Sequence, residues 1–231
     1  MTDGNPDRPV IVLVHGAWHR PSTWDATRAA LAGLGYETRI ATLPSAGTDP
    51  SPTASMYDDA EAIRREVDAV DGPVVVLAHS YGGIPTAQGL TGADNVTQLI
   101  FLSAYLLDDG ESMYSRHGMD APADTSGTFP LPENPGLALY HDVPEDVATQ
   151  AVADLVEQSL LSFTGTVTRA AWHDIPSTYI VSEDDRSIPT ALQEVMAAHA
   201  TTTRRWAGGH SAFLAAPERF AALVDEIIRS R

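Results

Sequence analysis

The sequence predicts an α/β domain built on a mostly parallel sheet wrapped by helices, and three observations point to it. Apolar, β-branched runs at Val10–Val14, Pro73–Leu77 and Leu99–Leu102 lack polar alternation, the composition of strands buried on both faces. Helical stretches separate these runs, and such alternation requires crossover connections between parallel strands. At 231 residues without an internal repeat, the chain fits a single domain with a large core.

The elements follow in order. A strand at Val10–Val14 leads to a helix over about Ser22–Leu34, with Ser22 as its cap and Gly35 closing it. A strand at Glu37–Ala41 opens into a Pro-, Gly- and Ser-rich loop, Pro44 to Thr53, and a helix over about Met56–Val70 stops before Gly72-Pro73. The strand Pro73–Leu77, a helix Ile84–Leu90 and a strand Val96–Leu102 complete the regular part. Between Leu106 and His173 the alternation breaks: prolines 122, 130, 132, 135 and 144 leave one clear helical stretch, Pro144–Leu161. Strands at Ser177–Ser182 and Thr202–Trp206 and an amphipathic stretch, Pro217–Ile228, close the chain.

Composition narrows the function. A net charge of −17 argues against nucleic acid or an anionic membrane as partner, because both need basic surfaces. No apolar run is long enough to span a bilayer, and Met1–Pro9 lacks the basic start and apolar middle of a secretory signal, so a cytoplasmic location is expected. The absence of cysteine removes disulfides and thiol catalysis, and the absence of lysine removes Schiff-base chemistry. Monomer and homodimer both stay open.

The chemistry centres on Ala78-His79-Ser80-Tyr81-Gly82-Gly83, set between a strand and a helix. Small residues two before and two after Ser80 suit a sharp turn in which the backbone is strained and the following helix packs closely. A serine capping an ordinary strand-to-helix turn is the alternative. The segment resembles the G-x-S-x-G nucleophile elbow of the α/β-hydrolase superfamily, with Ala78 in the first glycine position.

That resemblance assigns further roles. The loop His15-Gly16-Ala17-Trp18-His19 corresponds to the one that supplies an oxyanion-hole amide, so the expected donors are the backbone N–H groups of Ala17 and Tyr81. The order Ser, acid, His places the acid after the strand ending at Ser182. Asp185 is favoured among Glu183, Asp184 and Asp185 because Ile188-Pro189 follows it; Asp184 is its main rival, and Asp108 and Asp109 are weaker ones. Of eight histidines, only His210 has a Gly-Gly turn before it and a terminal helix after it. His79 points the other way along its strand, His15 braces the oxyanion loop, and His117, His141, His173 and His199 read as surface or cap residues.

Blocks from Val12 to Asp49, Ala78 to Gly83, Phe101 to Tyr105, Asp185 to Pro189 and Gly209 to Leu214 are similar to the superfamily branch of plant methyl esterases, hydroxynitrile lyases and bacterial esterases. The resemblance implies one domain, 1–231, with a core of 8–105 and 174–231 and a cap of about 106–173 over the site. Lyases of this branch carry a threonine in the oxyanion loop and a lysine beside the catalytic histidine; here Ala17 and Ser211 stand there. The implied activity is therefore a serine esterase acting on a small to medium neutral carboxylic ester or lactone. It uses Ser80, Asp185 and His210 and no metal or organic cofactor. A lyase or other C–C cleaving relative and a non-catalytic ligand-binding relative are the alternatives. Trp18, His19, Tyr105, Phe129, Phe163 and Trp172 are the candidates to contact substrate, although for each large apolar residue of the cap taken singly packing onto the core is the favoured role.

Overall fold

The computed structural model describes residues 8–49 and 51–230, so Met1 to Asp7 of the polar start and Pro50 of the loop lie outside the described residues. In chain order the elements are β1 (Val10–Val14), α1 (Asp25–Gly33), β2 (Thr38–Ala41), β3 (Ala46–Gly47), α2 (Met56–Asp68), β4 (Val74–His79) and α3 (Gly83–Gly89). Then come β5 (Val96–Leu102), α4 (Met113–Arg116), α5 (Pro135–Tyr140), α6 (Glu145–Ala153), β6 (Glu157–Gln158) and α7 (Leu160–Thr164). The last part is β7 (Ser177–Ser182), α8 (Thr190–Ala197), β8 (Thr202–Trp206), α9 (Ala212–Ala215) and α10 (Pro217–Arg229).

Six strands form one parallel sheet in the order β2-β1-β4-β5-β7-β8. Alternation along each strand sends side chains to two cores. Val12, Val14, Val76, Ala78, Phe101 and Val181 meet Met56, Ile63 and Ile84 of α2 and α3 on one face. Ile11, Leu13, Val75, Leu77, Ile100 and Ile180 meet Leu31 of α1, Phe213 of α9 and Phe220 and Val224 of α10 on the other. A residue buried this fully contributes roughly 1.5–3 kcal/mol relative to exposure, so neither face can be left uncovered. The parallel α/β fold expected from the alternation is the one observed. Among the described residues no helix is long and apolar enough to cross a membrane.

Two local expectations are corrected. Ser22 caps no helix with its side chain: Pro21 starts a short 3-10 turn, Pro21–Trp24, whose Trp24 is buried, and α1 begins only at Asp25. A serine does cap α2: Ser55 accepts the Asp58 N–H while Asp58 bonds back to the Ser55 N–H. The helical stretch Pro144–Leu161 also divides. α6 ends at Ala153, and the chain extends so that Gln158 and Glu157 pair antiparallel with Ala46 and Gly47. Tertiary pairing overrides helical propensity there, because Gln158 is fully buried and spends its amide on distant partners.

α2 and α3 touch backbone to backbone at Gly89, where an added Cβ would sit 2.5 Å from the Ala60 carbonyl oxygen. Alanine is the better helix former by about 1 kcal/mol, but overpacking against a carbonyl costs about 1–3 kcal/mol. Gly89→Ala is therefore expected to lower the urea unfolding midpoint, and a raised midpoint would show that the two helices separate freely.

Candidate active site

The turn after β4 is set by close packing. Ser80 has φ of +54°, in the left-handed region that a non-glycine residue occupies at a cost of order 1–3 kcal/mol unless its surroundings hold it. They do. The Tyr105 N–H donates to the Ser80 carbonyl at 3.0 Å. A Cβ on Gly82 would lie 2.5 Å from the His15 carbonyl oxygen, one on Gly83 would collide with the Tyr105 carbonyl, and one on Gly16 would lie 2.9 Å from Ser80 Cβ. The loops after β1 and β5 thus grip the serine turn from both sides, and only small residues leave room for them.

β7 and β8 deliver the acid and the base. His210 Nδ1 lies 2.7 Å from Asp185 Oδ2, with both side chains at most 1% exposed. The other Asp185 oxygen accepts the N–H groups of Ser187 and Ile188 at 2.7 and 2.9 Å, and Oδ2 also accepts from Gln193 Nε2 at 2.9 Å. An ionised carboxylate only accepts, so His210 Nδ1 is the donor and Nε2 keeps its lone pair. That Nε2 is buried and has no hydrogen-bond partner among the described residues. Asp184, by contrast, is 67% exposed and faces His141 at 3.1 Å, while Asp108 and Asp109 face His173. Among these acids Asp185 is the one that reaches His210.

The first loop is braced by histidines. His15 Nδ1 donates to the Gly16 carbonyl at 2.9 Å, and His19 Nδ1 donates to that of Ala17 at 2.6 Å. His19 Nε2 then accepts from the Tyr140 hydroxyl at 2.8 Å, so this ring supports its loop and has both nitrogens engaged. Trp18 has φ of +61°; its N–H donates to Gln158 Oε1 at 3.2 Å and its carbonyl accepts from the Val156 N–H at 2.8 Å. The Ala17 N–H donates to no acceptor among the described residues. Tyr81 sits in the first turn of its 3-10 helix, where N–H groups lack intrahelical partners. His79 donates from Nε2 to the His210 carbonyl at 3.0 Å, with the two rings 4.5 Å apart, joining the residue before Ser80 to the base.

Aromatic residues gather beside the serine turn. Phe163 packs tilted against Phe129, Tyr81 and Trp18 at 4.1, 5.0 and 6.3 Å between ring centroids, and Trp18 Nε1 donates to the Phe129 carbonyl. Tyr105, whose amide holds Ser80, turns its hydroxyl to His117. Trp172 does not join the group: its indole donates to the Leu107 carbonyl and its ring packs on His173 and His199. A surface groove of about 470 Å³ borders His19 and Tyr140, but neither Ser80 nor His210 lines it. The sequence reading missed Asp142, whose carboxylate accepts the Gly209 N–H at 2.6 Å and fixes the turn before His210. It also missed Asp59, buried on α2 against Tyr81. No local pattern marks either residue.

Comparison with known proteins identifies the family. A sequence model of the alpha/beta hydrolase family matches residues 11–223, and the chain belongs to that family. An alpha/beta hydrolase of Aspergillus novofumigatus is 30% identical over 245 residues, covering 96% of each chain. A probable hydrolase of Phoma sp. is 34% identical over 198 residues, covering 80% of this chain and 81% of its own. Among solved structures, a methylesterase from Arabidopsis superposes with a TM-score of 0.81 at 20% identity, over 97% of this chain and 100% of that one.

The buried histidines give the fold an acid sensitivity. Burial holds His15 at about 4 and His19 at about 3, against 6.5 for a free imidazole, and pushes His79 well below that value. The unfolded chain therefore takes up their protons first. Their contribution to stability is whole above pH 6.5 and is lost as pH falls toward about 4 for His15 and about 3 for His19. Asp59 opposes them: burial raises its carboxyl from 3.8 to about 6, a stabilisation present below 3.8 and lost as pH rises through about 6. Three imidazoles outweigh one carboxyl, so the urea midpoint is expected to drop between about pH 7 and about pH 5. Each net proton contributes up to about 1.4 kcal/mol per pH unit, and a midpoint that rises on acidification would contradict the balance.

Proposed function

We propose, proceeding from membership of the alpha/beta hydrolase family, that the chain is a serine carboxylesterase acting on a small to medium neutral ester or lactone. The observation that carries this reading is the buried His210–Asp185 pair, fully hydrogen-bonded on the acid side and open at Nε2, whose His210 carbonyl is bonded by His79, the residue before a serine held in a left-handed turn.

In this mechanism His210 Nε2 takes the Ser80 hydroxyl proton as Oγ attacks the ester carbonyl carbon. Asp185 keeps the imidazole oriented and stabilises its protonated form. The negative oxygen of the tetrahedral intermediate is received by the N–H groups of Ala17 and Tyr81. Collapse expels the alcohol, which takes the proton from His210 and leaves an acyl ester on Ser80. Water, giving its proton to His210, then attacks that ester; the acid leaves and Ser80 regains its hydrogen. Catalytic contacts of this kind tighten in the substrate complex, so the Ser80–His210 hydrogen bond need not be formed beforehand.

The surroundings support this substrate class. Trp18, Phe129, Phe163 and Tyr81 offer an apolar flank for acyl or alcohol carbons, and a chain of net charge −17 disfavours anionic substrates. The segment of about 106–173, which supplies Phe129 and Phe163, serves in this reading as the cap of a single domain. With arginine as the chain's only basic residue besides histidine, and Ser211 after His210, no lysine is available beside the base to stabilise departing cyanide.

Turnover of short p-nitrophenyl esters with labelling by a fluorophosphonate tests the reading. Ser80→Ala is expected to abolish labelling and lower kcat by a factor on the order of 10⁴–10⁶, and Asp185→Asn by about 10⁴. Asp184→Asn, at an exposed position, is expected to stay within about twofold. A Ser80→Ala variant turning over at close to the parent rate would overturn the assignment.

A further inference from the structure

We propose that a buried hydrogen-bonded chain running Trp18–Gln158–Ser45–Asp59–Tyr81 positions the two oxyanion amides, making Asp59 and Gln158 positioning residues for the reaction. The proposal rests on the ester-hydrolysis reading above and adds to it a role for two side chains that lie away from the reacting atoms.

The direction of every bond in this chain can be assigned. Asp59, fully buried, accepts the Ser45 N–H at 3.0 Å, the Ser45 hydroxyl at 2.5 Å and the Tyr81 hydroxyl at 2.6 Å. A carboxylate only accepts, so both hydroxyls donate to it. Ser45 Oγ can then accept, and it does so from Gln158 Nε2 at 2.6 Å, whose second hydrogen goes to Ser162 Oγ at 2.9 Å. The amide nitrogen of Gln158 is thereby committed to donation, which leaves Oε1 to receive the Trp18 N–H. Burial disfavours the Asp59 carboxylate, with its pKa raised to about 6, and these hydrogen bonds are what keep it ionised at neutral pH.

The two ends of the chain lie next to the two proposed oxyanion donors. The Ala17 N–H belongs to the Gly16–Ala17 peptide, and its direction is opposite to the Gly16 carbonyl because the peptide is planar and trans. That carbonyl is held by His15 Nδ1 at 2.9 Å and the His19 N–H at 3.4 Å. The Tyr81 N–H is likewise opposite to the Ser80 carbonyl, which the Tyr105 N–H holds. Each donor is thus anchored on its N-terminal side by a carbonyl contact. The network supplies the anchor on the other side, at Trp18 N–H for one donor and at the Tyr81 hydroxyl for the other. Trp18, left-handed at φ +61°, is clamped through both N–H and C=O by residues 156 and 158 of the inserted segment.

A polar chain in a core is a weak device for stability, since an apolar core of the same shape can serve as well. As a positioning device it has a clear use, because an oxyanion donor displaced by about 1 Å forfeits on the order of 10²-fold in rate. The network also closes only when β6 of the inserted segment is seated, so the hole is completed by the same segment that brings Phe129 and Phe163 to the site.

The test uses Tyr81→Phe, which keeps the ring against Phe163 and removes only the hydroxyl, together with Gln158→Leu and Asp59→Asn. Readouts are kcat and KM for p-nitrophenyl butyrate and inhibition by an alkylboronic acid, whose tetrahedral serine adduct places an oxygen in the hole. Each variant is expected to lose about tenfold in kcat and in boronic-acid affinity with KM within about twofold. The Tyr81→Phe, Gln158→Leu double variant is expected to lose less than the product of the two single losses, because one chain is cut twice. Folded variants with unchanged kcat and boronic-acid affinity overturn the positioning role. So does a fall in kcat that leaves boronic-acid affinity intact, or independent losses in the double variant. If one substitution fails to fold, the other two read the same chain. A parent protein that shows neither a p-nitrophenol burst nor boronic-acid inhibition sinks the esterase reading, and this proposal with it. A parent with both leaves only the network at stake.

Discussion

The backbone at Ser80 is the constraint on which the rest of the site depends. A left-handed serine between a strand and a helix is stable only where its neighbours leave it no alternative. The loop after β1 presses from one side through Gly16 and the His15 carbonyl, and the loop after β5 presses from the other through the Tyr105 carbonyl. Those loops can converge because β1, β4 and β5 are adjacent and parallel, so their carboxyl ends share one edge of the sheet. Sheet order, small residues and the geometry of the serine are therefore one linked arrangement.

Electrostatics extends that arrangement outward. Asp185 satisfies both carboxylate oxygens with four donors, and with the histidine tautomer so set, His210 presents a lone pair at Nε2. His15, His19 and His79 stay neutral because burial removes the water that would stabilise an imidazolium. Neutrality lets each of them brace a backbone carbonyl without adding a positive charge beside His210. The cost appears on acidification, when these rings favour the unfolded chain.

The segment between β5 and β7 contributes more than apolar packing. Asp142 holds the Gly209 turn before the base, Tyr140 holds His19, and Val156 and Gln158 hold both polar groups of the Trp18 backbone. Both the loop after β1 and the loop after β8 are thus finished by residues between β5 and β7. Movement of that segment would be felt at the proposed oxyanion donors as well as at the apolar flank.

The sequence by itself determined the sheet and the tight turn at Ser80, because each is written in neighbouring residues; the expected order of serine, acid and histidine came from the family resemblance. A continuous apolar run places β1 at its observed bounds and another marks the second half of β5, and Ala78, Gly82 and Gly83 announce a tight turn around Ser80. The Ile188-Pro189 that follows favoured Asp185 but kept Asp184, one position away, as its rival; the loop's path turns one carboxylate inward and leaves the other exposed. Local pattern could not end α6 at Ala153, separate Trp172 from the aromatic group, or mark Asp59, Asp142 and Gln158. Tertiary structure decided those, because the partners lie 22 residues away for Asp59 and Tyr81, 67 for Asp142 and Gly209, and 140 for Gln158 and Trp18. Hydrophobic periodicity records which face is buried, whereas a hydrogen bond between distant residues exists only once the fold has brought donor and acceptor together.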